Sequence, residues 1–192
     1  MSTVLQPTNQ MPGWTALLER FYSRAGLALP PLQQLRDEEV PQPYKSLLVH
    51  SLDMTPTLEG FYQGPVGLTV LSRERQDNSY YREVILNVDE GKRPVEYGAI
   101  RICLDHLPAT LRDRVLEEQR PFGNILQSES FPHISWPQAF FRTEPDAHMS
   151  TVLRLHRPCS LYGRRNVLLD GHRRLLAEVI EVLSPVPQTS KI

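Results

Sequence analysis

The sequence predicts an α+β domain: an antiparallel sheet of about six strands with helices on one face. Three observations lead there. Helical patterns open the chain, precede the first strand and interrupt the strands. The segments between them are rich in β-branched and aromatic residues that alternate with a period of two. Short turn signals join neighbouring strands, which antiparallel pairing permits.

The elements follow in order. Residues 1–12 are polar, and a loose segment is expected there. Trp14, Leu17, Leu18, Phe21 and Tyr22 form one apolar stripe at helical spacing. Pro30, Pro31, Pro41 and Pro43 break the next stretch into a loop with one short helical turn. Thr55-Pro56 opens a second helix and Gly64-Pro65 closes it. Val66, Leu68 and Val70 then alternate as in a strand. Tyr80 to Val88 and Val95 to Leu104 are further strands, joined by a turn at Asp89-Glu90-Gly91-Lys92. Pro108 to Gln119 reads as a helix with Leu111, Val115 and Leu116 on one side. Residues 131–149 carry no clear period. Tyr162 to Leu169 and Arg174 to Leu183 flank Asp170-Gly171, a strong hairpin signal. The tail after Pro185 is polar and expected to fray.

Composition bounds the function. The chain has 192 residues, which suits one domain, and a net charge of -1, which gives no global field toward nucleic acid or anionic lipid. No apolar run is long enough to span a bilayer and no secretory signal opens the chain, so the expected location is the cytoplasm. Cys103 and Cys159 lack metal-ligand spacing and read as reduced structural thiols. The six histidines show no metal spacing, and no phosphate-binding glycine motif or nucleophile elbow occurs. No cofactor is expected.

Strand alternation isolates two charged residues. Tyr80, Arg82, Val84 and Leu86 share one face, and Arg82 is its only charged member. Leu176, Glu178, Ile180 and Val182 share another, and Glu178 is its only polar member. Three accounts are open. The two form a structural salt bridge, reach water at strand ends, or line a ligand cavity. Glu83 and Glu181 put charge on the opposite faces, and a register slip of one residue reverses the assignment. Arg164 and Arg165 point to opposite faces of their strand, so at most one meets any pocket.

Five segments, in order between residues 47 and 185, resemble the chorismate lyase family. They are Asp53-Met54-Thr55, Tyr81-Arg82-Glu83-Val84-Ile85-Leu86, Tyr97-Gly98 with the strand to Ile102, Pro121-Phe122-Gly123 with Leu126, and Tyr162-Gly163-Arg164-Arg165 followed by Leu175-Leu176-Ala177-Glu178. Residues 1–45 and 127–160 are poorly covered. The resemblance implies a single domain whose cavity lies beneath helical flaps, and cofactor-free conversion of chorismate to 4-hydroxybenzoate and pyruvate, feeding quinone synthesis. It implies that Arg82 binds the product's carboxylate and that Glu178 stands at the reacting end as a catalytic acid or positioning group. It also implies that the backbone amides of Met54 and Phe122 hold the ligand. Phe122 departs from the family's usual leucine. The same fold resembles the effector-binding domain of bacterial transcription regulators, which bind without reacting. Those carry a winged helix in front, whereas the residues before 47 are proline-rich and lack a basic recognition helix.

Overall fold

The computed structural model describes residues 13–186. The looseness expected of residues 1–12 and of the tail from 187 onward lies outside the described residues. The chain runs α1 (Ala16–Arg24), β1 (Leu32–Leu35), α2 (Tyr44–Leu48), α3 (Met54–Tyr62), β2 (Gly67–Gln76), β3 (Ser79–Val88) and β4 (Arg93–Cys103). It continues through α4 (Ala109–Leu116), α5 (Phe122–Ser128), β5 (His133–Thr143), α6 (Ala147–Val152), β6 (Leu161–Asp170) and β7 (Leu175–Leu183).

The seven strands form one antiparallel sheet in the order β1-β5-β6-β7-β4-β3-β2. Two meanders, β2-β3-β4 and β5-β6-β7, are joined by the pairing of β4 with β7, and β1 extends one edge. The architecture is the α+β class the sequence predicts, with two differences. The sheet has seven strands, because β1 and β5 carry no readable pattern. Helices also cover both faces. On one face α4 and α5 pack Leu111, Val115, Phe122, Ile125 and Leu126 against Ile100, Ile102 and Leu168. On the other, α1 and α6 pack Leu18, Phe21, Tyr22 and Met149 against Ile85, Tyr97, Ile180 and Val182. Periodicity identifies a buried stripe without saying which face of a sheet it meets.

The helix starts also shift. α3 begins at Met54 with Asp53 as its N-cap residue, so Pro56 sits third in the helix, where an intrahelical donor is still not needed. Gln63 closes it in the left-handed conformation at φ 55°. Leu116, expected on the buried side of α4, is exposed. The Asp170 turn is pinned by its own side chain: Oδ1 accepts from the backbone N–H groups of His172 and Arg174, each at 2.8 Å. At Gly163 the fold has no room for a side chain. A Cβ there would lie 2.5 Å from Phe141 Cζ and closer still to the Glu181 carbonyl.

Among the described residues no helix is long and apolar enough to cross a membrane, and no group of three metal-ligating side chains converges. Cys103 and Cys159 are both free.

Candidate ligand cavity

Register across four strands builds the floor of a cavity. One row across the sheet holds Arg82, Ile100, Val179 and Asn166. The next row on the same face holds Val84, Gly98, Glu181 and Arg164, and a third carries Leu86 and Glu96. Gly98 leaves the middle of this floor open, since a Cβ would approach Glu96 Oε1 and Val84 Cγ2 at 3.2 and 3.3 Å. The roof comes from the start of α3 (Asp53, Met54, Thr55) and the start of α5 (Pro121, Phe122, Gly123). The space between floor and roof is about 50 Å³.

Arg82 stands at one end. It is 1% exposed, and its Nε and Nη1 have no hydrogen-bond partner. Nη2 makes only a long contact, 3.4 Å, to the Arg120 carbonyl. Burial pulls this guanidinium down to about 10, with Tyr80 and Glu118 opposing the shift. Those two groups are themselves engaged. The Tyr80 hydroxyl donates to Glu118, whose other oxygen accepts from Arg73 Nη1 at 2.9 Å. The cavity thus contains a buried cation whose two inner nitrogens lack an acceptor.

The other end is acidic. Glu181 accepts a short hydrogen bond from Arg164 Nε. Arg164 is fully buried and spends its remaining nitrogens on backbone: Nη1 donates to the carbonyls of Leu48 and His50, and Nη2 to that of Leu52. It therefore ties the segment before α3 to the sheet. Glu96 has no such cation, and its Oε2 is buried without a partner. Burial holds the Glu96 carboxyl well above the usual carboxylate range, the charge of Glu181 adds to this, and Arg164 opposes it. Glu181 is also raised by burial, against the pull of Arg164. Asp53 completes this end. Its Oδ2 lies 2.7 Å from His133 Nε2, and its Oδ1 has no partner.

Of the seven buried, unpartnered side-chain atoms among the described residues, five belong to cavity residues: Asp53, Arg82 twice, Glu96 and Asn166. Native interiors rarely leave such atoms unsatisfied. Their convergence on one space makes it the candidate site.

Three of the residues singled out in the sequence, Arg82, Met54 and Phe122, line this cavity. Glu178 does not, which corrects the expected site. It pairs across the strands with Arg101, and both belong to the face opposite Arg82. Its oxygens bind Arg101 Nη1 at 3.3 Å and Arg165 Nη2 at 2.8 Å under partial exposure. The physical reason is alternation: Val179 and Glu181, odd-numbered, meet the cavity, so Glu178 cannot. Of the arginine pair, Arg164 faces the cavity side and Arg165 the other. Glu96 was not singled out in the sequence. The available signal was a lone carboxylate on the strand face shared with Gly98 and Ile100.

No family model matches the chain, and no curated protein is similar to it at a significant level. Solved structures do match. The effector domain of PhnF from Mycobacterium smegmatis superposes with a TM-score of 0.50 at 11% identity, over 68% of this chain and 87% of that one. A structure of PhnF from the same organism gives 0.51 at 10% identity, over 88% and 92%. A GntR-family transcriptional regulator from Bacillus cereus gives 0.46 at 12% identity, over 66% and 95%. The PhnF likenesses establish the fold, which is that of regulator effector domains and is shared with chorismate lyase.

Proposed function

We propose that this chain binds a small organic acid in the cavity, with the acid's carboxylate on Arg82. The observation that carries this reading is the buried guanidinium with two unpartnered nitrogens. A buried cation is tolerated when an anion completes it, and arginine matches a carboxylate through two parallel hydrogen bonds. The helix-start amides of Met54 and Phe122 have no intrahelical acceptor and offer further donors. Apart from Thr55, Asn166 and the acids of the other end, the lining side chains are apolar, from Leu68, Val84, Leu86, Ile100, Phe122, Leu168 and Val179, which suits a ring. An apolar cavity of about 150 Å³ holds benzene, so an aromatic acid requires Met54, Leu68 or Phe122 to swing outward. The likeness in fold to the effector domain of PhnF supports small-molecule binding as the reading. Calorimetry with benzoate and 4-hydroxybenzoate tests the reading. Binding that Arg82→Met abolishes supports it, and no binding of either acid by the wild type refutes it.

A second reading, chorismate lyase, is favoured by the convergence of Arg82, Met54 and Phe122 on one cavity. In that reaction a ring C–O bond breaks and the neighbouring ring C–H bond gives up its proton. The electron pair from that C–H bond closes the aromatic ring. Enolpyruvate leaves, takes up a proton and becomes pyruvate. Aromatisation drives the step, and the protein must orient the substrate and handle protons. The acids at hand are those of the cavity: Asp53, Glu96 and Glu181. Incubation with chorismate separates the readings, because the lyase releases pyruvate and the sensor does not.

A further inference from the structure

A second concave surface lies where the turn between β3 and β4, the end of β7 and the segment after α6 meet. Its volume is about 700 Å³, and it shares no lining residue with the cavity of Arg82. Five basic side chains line it, Lys92, Arg93, Arg154, His156 and Arg157, and no acid does. The whole chain has a net charge of -1, so this is a local excess of cations. Asp89 and Glu90 on the turn pair with Arg93 and Lys92 from outside the lining, at 2.8 and 3.8 Å. Arg154, His156 and Arg157 make no ion pair among the described residues. The groove is built around Arg154. At the end of α6 its N–H donates to the Thr151 carbonyl at 3.2 Å, and that of Leu155 donates to the Ser150 carbonyl at 2.8 Å. Such a cap needs a left-handed residue and usually takes glycine. Here arginine holds the position at φ 53°. Its Nη1 donates to the Lys92 carbonyl at 2.6 Å and ties the segment after α6 to the turn before β4. The Arg93 guanidinium lies over the Tyr62 ring, 4.8 Å from its centroid. The rest of the wall is largely apolar, from Tyr62, Val95, Leu153, Leu155, Pro158 and Pro185.

We propose that this groove is a second ligand site, for a small phosphate ester or phosphonate with an apolar body. A guanidinium matches phosphate oxygens through parallel hydrogen bonds, and a dianion answers several cations at once. Arg154, His156 and Arg157 supply donors that no carboxylate of the described fold consumes. The apolar wall receives the organic part, and the volume is that of an ordinary small-molecule site. The phosphate ester is a free molecule rather than a lipid headgroup. A membrane-docking face presents large apolar side chains to the bilayer, and none of those exposed among the described residues lines the groove.

The test is calorimetry at low salt and mildly alkaline pH, with phenylphosphonate, benzenesulfonate and inorganic phosphate as probes. The proteins are wild type, Arg82→Met and the double variant His156→Gln with Arg157→Gln. Wild type binds phenylphosphonate roughly tenfold more tightly than inorganic phosphate, because only the former fills the apolar wall. It binds benzenesulfonate, a single negative charge, more weakly than the dianion. The double variant loses about tenfold or more in phenylphosphonate affinity, the loss expected for charge-assisted contacts. Its thermal midpoint stays at the wild-type value, since neither side chain has a recorded partner in the fold. Arg82→Met keeps phenylphosphonate affinity within a few-fold, which separates this site from the cavity. Added salt weakens the binding in wild type. Failure of wild type to bind phenylphosphonate more tightly than about a millimolar overturns the proposal. So does binding that Arg82→Met abolishes and the double variant keeps, because the ligand then occupies the cavity. Equal affinity for phenylphosphonate and inorganic phosphate reduces the groove to diffuse charge and also overturns it. Co-sedimentation with vesicles containing phosphatidic acid, without phenylphosphonate binding, overturns it in favour of a lipid surface.

Discussion

Arg82→Met should make the protein more stable and less able to bind. The guanidinium is 1% exposed, lacks partners on two nitrogens and is pulled by burial down to about 10, well below its ordinary value. At about 1.36 kcal/mol per pH unit, that depression means the buried charge costs roughly 3 kcal/mol. Methionine keeps an unbranched chain of similar reach and removes the charge. Replacing a buried, poorly compensated ion by an apolar group stabilises by about 1–4 kcal/mol. For a chain of this length each kcal/mol moves the thermal midpoint by about 2–4 °C. The midpoint should therefore rise by several degrees. Affinity for an aromatic carboxylate should fall by tens to thousands of fold, since removing one partner of a buried charge pair costs about 2–5 kcal/mol. Scanning calorimetry and ligand titration on the same variant read both effects. A midpoint that drops sharply would mean that Arg82 is a structural partner of Glu118 and Tyr80, and the argument from an unsatisfied cation would fail.

Three further outcomes follow from the geometry. Gly163→Ala should destabilise the fold by about 3 kcal/mol or more in denaturant titration, because the added Cβ meets the Glu181 carbonyl and the Phe141 ring and neither can retreat. Glu178→Gln should leave ligand affinity unchanged and cost less than about 1 kcal/mol of stability, since its pairs with Arg101 and Arg165 are partly solvated; a large loss of affinity would return this residue to the site. His133 should give pH-dependent stability. Both its nitrogens face acceptors, the Phe131 carbonyl at 2.8 Å and Asp53 Oδ2 at 2.7 Å, so both carry protons, and the hydrogen bond to Asp53 raises it above its ordinary 6.5. Its contribution is fully present below pH 6.5, the unfolded value, and is lost as pH rises through the higher folded value. His133→Gln should flatten that dependence in chemical denaturation followed across the neutral range.

The sequence determined the α+β class, both hairpins flanking the site and the face-sharing of Arg82 with Val84 and Leu86. These are local properties: a period of two fixes which side chains go together, and Asp170-Gly171 or Asp89-Glu90-Gly91 fixes where the chain reverses. It did not reveal β5, because Pro137 interrupts a strand whose alternation is weak. That proline is tolerated because β1 pairs only residues 140–143 of β5 and leaves the stretch around Pro137 at an open edge. Nor could it choose between Glu178 and Glu181. Both sit on clean alternating faces, and the choice depends on which face α3 and α5 roof over and which α1 and α6 cover. That decision is made by side-chain packing between elements far apart in sequence. The same packing brought Glu96 beside Glu181 and used up Arg164 on the backbone before α3, leaving one acid without a cation. No local pattern encodes that shortage, because it is a property of four strands and a loop taken together.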